Sequence, residues 1–137
     1  MTQQRYRVSE AASLLGVSDD TVRRWGAGGR LDLQDDAGAK TVSGAQLASL
    51  ATELADSNRR ADLADLPPAS ARNRMRGIVT RLTLDTVMAQ VDVQAGPFRL
   101  VSLVSREAVD ELGIEVGSVV VASVKATNVG IEGVPSV

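Results

Sequence analysis

An α+β chain of two small domains is predicted, with a helix-turn-helix, hairpin and third helix in the first half and a five-stranded barrel in the second. Three observations predict it. Apolar residues between Val8 and Leu54 recur at helical spacing. From Ser70 onward they alternate with a period of two, as in strands. Between these halves lies a polar tract ending in Pro67-Pro68, a pair that cannot continue a helix. The domains are therefore placed at residues 1–56 and 70–137, with residues 57–69 as linker.

In the first half, Ser9 is the expected N-cap of a helix filled by Ala11, Ala12, Leu14 and Leu15 and closed by Gly16 at a left-handed position. Ser18 caps a second helix, Asp19 to Trp25, whose first turn carries Asp19 and Asp20 at the positive end of its dipole. Ala12, Gly16 and Val22 supply the small residue, turn glycine and branched apolar residue that a helix-turn-helix needs. Gly26-Ala27-Gly28-Gly29 breaks the helix. Leu31 to Val42 then reads as a small hairpin, or wing. Ser43-Gly44-Ala45-Gln46 is a capping box, and Leu47, Leu50, Ala51 and Leu54 share one face of the helix that follows.

In the second half, strands are expected at Gly77 to Leu82, Val87 to Gln94, Phe98 to Val104, Ser118 to Lys125 and Asn128 to Ile131, with a short helix over Ser105 to Gly113. Five strands and one short helix make an OB-like β-barrel.

Composition removes several classes of function. With no Cys and no His there are no disulfides, zinc fingers, thiol nucleophiles or histidine bases. Ser105 and Lys125 lack a partner base that would make either a nucleophile, no Walker-type loop is present, and an enzyme is not expected. Aromatics are only 2% of residues, too few for stacking along single-stranded nucleic acid. No segment is long and apolar enough to span a bilayer and the N-terminus lacks a signal-peptide run, so a soluble cytoplasmic protein is expected. Residues 1–60 balance their basic and acidic side chains, so any grip on DNA depends on local clustering and on several copies binding together.

Tyr6 to Leu54 resembles the MerR-type or excisionase-type winged helix-turn-helix. The likeness rests on Val8-Ser9-Glu10-Ala11-Ala12, Leu15-Gly16-Val17-Ser18, Thr21-Val22-Arg23-Arg24-Trp25 and Gly29-Arg30-Leu31, in that order. It implies duplex DNA as partner, contacted by Thr21, Arg23 and Arg24 from the second helix, with Arg30 and Lys40 as further phosphate contacts. Asp35 and Asp36 stand where the family's wing is often basic. Trp25 is read as core, being the one Trp available to fill this half.

Ser70 to Ile131 resembles the molbindin, or Mop, domain. Its markers are Ser70-Ala71-Arg72-Asn73, Gly77-Ile78-Val79, Leu112-Gly113-Ile114, Val116-Gly117 and Val124-Lys125-Ala126-Thr127-Asn128-Val129. The resemblance implies molybdate or tungstate as ligand, no organic cofactor, and sites between subunits built from Ser70, Arg72, Ser105, Lys125, Ala126 and Thr127. Ala108 stands where the family commonly has a second hydroxyl. At least a dimer is implied, and a hexameric trimer of dimers by analogy. The donor set suits the ligand: a tetrahedral dianion needs one or two cations and several directed donors. Together the resemblances imply an oxyanion-responsive DNA-binding regulator. The alternative is an oxyanion store whose N-terminal domain serves assembly.

Overall fold

The computed structural model describes residues 4–63 and 65–135, the backbone alone at 58–63. The chain divides into two units, Met1–Ala64 and Asp65–Val137.

In the first unit, strand β1 (Arg5–Arg7) leads directly into helix α1 (Val8–Leu15). Arg7 rather than Ser9 is the N-cap, and the Glu10 carboxylate accepts from the Arg7 N–H at 3.1 Å. A carboxylate one turn in closes the helix start that the Ser9 hydroxyl was expected to close. Gly16 takes the expected left-handed conformation, at φ 70°. Helix α2 (Asp19–Ala27) is capped by Ser18, whose hydroxyl accepts from the Thr21 N–H at 3.1 Å. It runs past Trp25 through Gly26, because Gly26 acts as a contact point and not as a breaker: a Cβ there would overlap the Leu33 side chain.

Strands β2 (Gln34–Asp36) and β3 (Ala39–Ser43) form the hairpin, and β3 also pairs with β1, giving the sheet order β1-β3-β2. The link is a two-residue turn with both residues at positive φ, Ala37 at 51° and Gly38 at 84°, the type I′ geometry that suits the twist of a hairpin. Helix α3 (Gly44–Leu63) starts where Ser43 accepts from the Gln46 N–H at 3.2 Å, and extends through the first part of the stretch read as linker. Leu47 and Leu50 join the core with Val8, Ala11, Ala12, Val22, Leu31 and Val42. Ala51, expected on the same face, is exposed.

The second unit is a curled sheet of order β6-β5-β4-β7. Strand β4 (Asn73–Leu84) is long enough to pair with β7 (Val119–Val124) along its first half and with β5 (Met88–Ala95) along its second, with a bulge between Val79 and Arg81 where it changes partner. Strand β6 (Phe98–Ser105) pairs with β5, and helix α4 (Arg106–Leu112) follows it. Gly77 marks the inward side of β4: a Cβ there would lie 2.6 Å from Val93 Cγ1 and 2.7 Å from the Gln94 carbonyl. Val79, Ala89, Val91, Val93 and Val109 form the core. The strand expected at Asn128 to Ile131 is absent among the described residues. A 3-10 turn at Ala126–Asn128 redirects the chain, and the residues beyond it pair with neither sheet edge, so four strands stand where five were expected.

Candidate functional site

The oxyanion candidates fall into two groups, and the ladder of strands explains why. Antiparallel pairing sets Asn73 opposite Val124, and the Asn73 side-chain amide donates to the Val124 carbonyl at 3.1 Å. The ladder ends at this pair: Arg72, in a bend, and Lys125, the N-cap of a 3-10 turn, are the next residues along each chain. The Ser70–Arg72 segment and the Lys125–Thr127 segment therefore adjoin the same end of the β4–β7 ladder. The 3-10 turn begins just after Lys125 and holds Ala126 and Thr127, with the Asn128 N–H donating to the Lys125 carbonyl at 2.9 Å. Ser70, Arg72, Lys125, Ala126 and Thr127 are all exposed. Neither cation makes an ion pair among the described residues.

Ser105 is in the other group. It faces Met88 across the β5–β6 ladder, while the neighbouring Ala89 faces Leu84 at the far end of β4 from Asn73. No strand pairing sets it beside the Arg72–Lys125 end, although Ala108, which it caps, lines one cavity with Val124. Its hydroxyl caps α4, accepting from the Ala108 N–H at 3.0 Å, which leaves its own proton available to an anion.

The first group can supply two cations, two hydroxyls and the N–H groups of a tight turn, a donor-rich set suited to an anion. Among the described residues, no cluster of His, Cys, Asp and Glu could hold a metal cation. No described helix is long and apolar enough to cross a membrane.

The DNA candidates are engaged with one another or with carboxylates. Thr21 Oγ1 lies 2.9 Å from Ser18 Oγ and accepts from Arg24 Nη2 at 3.2 Å. Arg23 reaches Asp20 at 3.4 Å, and Lys40 reaches its cross-strand neighbour Asp35 at 3.6 Å. Arg30 pairs with Glu53 at 3.6 Å and sits over the Trp25 ring at 5.1 Å. Trp25 is partly buried against the first core, in keeping with its expected packing role.

Two features escape a reading of the sequence. Asn73 is visible only as one letter of the Ser-Ala-Arg-Asn marker, and its bond to Val124 needs the strand register. Asp92, on β5, is 4% exposed, and Arg99 donates to its Oδ2 through Nε at 3.0 Å and through Nη2 at 2.6 Å while the Gln90 amide donates to Oδ1 at 3.1 Å. These bonds, Gln90 first and Arg99 next, hold the Asp92 carboxyl below its ordinary pKa. No periodicity marks a buried carboxylate.

A curled four-stranded sheet with one short helix makes the second unit a small OB-like β module. The TOBE-domain family model matches residues 69–131. Molybdenum-pterin-binding protein 2 of Clostridium pasteurianum is 40% identical over 61 residues, which are 44% of this chain and 90% of that protein. Molybdenum-pterin-binding protein 1 of the same organism is 36% identical over 61 residues, again 44% of this chain and 90% of that one. Through its second unit, the chain belongs to the family of these molybdenum-pterin-binding proteins, over the stretch that the TOBE-domain model matches. Among solved structures, MopII from Clostridium pasteurianum aligns with a TM-score of 0.46 and 36% identity, covering 48% of this chain and 100% of that one. A molybdate-binding protein from Sporomusa ovata aligns with a TM-score of 0.48 and 28% identity, covering 49% of this chain and 100% of that one. The family match leaves residues 1–68 outside it.

Proposed function

We propose that the chain is a molybdate- or tungstate-responsive DNA-binding regulator of the cytoplasm. The second unit binds the oxyanion between subunits, and the first reads duplex DNA as a winged helix-turn-helix. The observation that supports the oxyanion half is the Asn73–Val124 register, from which the segments bearing Ser70, Arg72, Lys125 and Thr127 leave at the same ladder end. Membership of a family with molybdenum-binding members supports molybdate as the oxyanion. Ser105, which no strand pairing sets beside that end, is the donor that a second copy contributes in this reading.

Each group has a role in this reading. Arg72 and Lys125 compensate the two negative charges, while Ser70, Thr127 and turn N–H groups fix the tetrahedral geometry. Selection over sulfate rests on cavity size, through the longer metal–oxygen bonds. Because the ligand lies between chains, its binding favours one assembly and thereby sets the spacing of the DNA-binding units. Support for the DNA half comes from the order of α1, the Gly16 turn and α2, with Arg23 and Arg24 exposed on α2.

Storage of the oxyanion is the second reading. It is favoured by the carboxylates that hold Arg23, Arg30 and Lys40, since DNA must displace each one. Calorimetric titration with molybdate, tungstate, sulfate and phosphate tests the oxyanion half. Tight heat with the first two alone, lost in Arg72→Ala and Lys125→Ala, is expected. No heat with any of the four contradicts it. Oxyanion binding without salt-sensitive DNA binding selects storage over regulation.

A further inference from the structure

Helix α2 presents its two arginines differently, although they are neighbours in the chain. Val22 is fully buried, and Trp25 and Gly26 pack on the same side, Gly26 against Leu33. At about 100° per residue, Arg24 lies about 200° around the helix from Val22, whereas Arg23 lies only about 100° from it. Arg24 therefore stands on the crest opposite the core, and Arg23 stands on the flank. Their partners differ as well. Arg23, Arg30 and Lys40 are each held by a carboxylate, those of Asp20, Glu53 and Asp35. Arg24 makes no ion pair among the described residues.

Arg24 is held by a hydroxyl instead. Its Nη2 donates to Thr21 Oγ1 at 3.2 Å, and that oxygen lies 2.9 Å from Ser18 Oγ, which also accepts from the Thr21 N–H at 3.1 Å. The helix cap thus fixes Thr21, and Thr21 fixes Arg24. The bond draws the guanidinium back over the first turn, the end of a recognition helix that meets base edges. A hydroxyl orients an arginine without neutralising it. Of the five guanidinium N–H groups four stay available, and guanine offers two acceptors, O6 and N7, in the major groove. We propose that Arg24 is the base-reading residue of the first unit, bidentate to a guanine of duplex DNA, with Thr21 as its positioning residue. Arg23, Arg30 and Lys40 exchange their carboxylates for phosphates, which carry no sequence information. This assignment rests on the DNA-binding reading above and adds to it the base that is read and the side chain that reads it.

The test enriches duplexes from a random-sequence pool with the full chain. Fluorescence anisotropy then compares the best duplex with versions changed at one base pair, over a series of KCl concentrations. For the wild type, replacing one G·C pair is expected to weaken binding by about 5- to 150-fold, the usual worth of a bidentate base contact. Arg24→Ala is expected to bind the original and the changed duplex alike. Thr21→Val keeps the branched shape without the hydroxyl and is expected to narrow the same preference, which Thr21→Ser restores. Arg23→Gln keeps the preference, weakens every duplex by one factor, and makes the plot of log affinity against log salt shallower by about 0.9. A preference lost in Arg23→Gln and kept in Arg24→Ala overturns the assignment. A wild-type preference in Thr21→Val overturns the positioning role. Salt-sensitive binding with no preferred base pair overturns the proposal and leaves the DNA-binding reading standing. If the wild type binds no duplex at low salt, both fall.

Discussion

Asn73 and Val124 face each other across the β4–β7 ladder, and the Asn73 side-chain amide closes on the Val124 carbonyl at 3.1 Å. This bond lies immediately inside the two cations of the candidate site. Asn73→Ala leaves Arg72 and Lys125 in place but removes the clamp that sets their separation. A net hydrogen bond of about 1 kcal/mol predicts an oxyanion affinity lower by roughly fivefold, against a modest loss of stability. Calorimetry with molybdate on the variant, compared with its thermal melt, checks this.

Gly77 is required by space. A Cβ there meets both the Val93 side chain and the Gln94 carbonyl, and a strand backbone cannot retreat as a side-chain tip does. Gly77→Ala is expected to destabilise the second unit by about 1–3 kcal/mol, the usual range for overpacking. Because the single Trp lies in the first unit, the loss will show in far-ultraviolet circular dichroism and leave Trp25 fluorescence in place.

Ala37 holds a left-handed conformation that glycine and asparagine adopt more readily. Ala37→Asn is expected to stabilise the first unit by about 0.5–1 kcal/mol and to raise the denaturant midpoint read by Trp25. A lower midpoint contradicts the type I′ assignment of the turn.

Two carboxylates make the second unit sensitive to acid. Asp85 is held below the usual carboxylate range by the backbone N–H groups of Met88 and Val87, and Asp92 by Gln90 and Arg99. Since their folded values are depressed, the stability they contribute is present above the unfolded carboxylate pKa near ~3.9 and is lost as pH falls through the folded values. Asp92→Asn removes its share of this dependence, so its denaturation free energy changes less with pH below about 4 than that of the wild type. Urea titrations across that range, followed by circular dichroism, measure the difference.

What the sequence made legible was whatever is local or periodic. Ser18, Gly16 and Val22 announce a capped helix pair because caps, left-handed glycines and buried branched residues act within one turn of chain. Strand β1 was not legible: Arg5–Arg7 is short and charged, and pairs with β3 only because the hairpin brings β3 there. The far end of α3 was hidden as well, since after Leu54 the apolar repeat stops while helix-favouring residues continue. For the site, the donor residues could be named from family markers, but that Arg72 and Lys125 flank one strand pair while Ser105 ends another ladder follows from long-range register alone. The expected strand at Asn128 to Ile131 pairs with neither open edge of its sheet, β6 or β7, because the 3-10 turn at Ala126–Asn128 redirects the chain.

The proposed function couples an oxyanion to DNA within one chain. Its most direct test is the affinity of the full chain for duplexes that it enriches from a random-sequence pool, measured at fixed salt with and without saturating molybdate. A shift in dissociation constant of about 5- to 150-fold, matching typical coupling free energies, is predicted. The shift must be absent with sulfate and in Lys125→Ala. Identical affinities with and without molybdate, in a protein shown by calorimetry to bind it, would contradict the account and leave storage as the function.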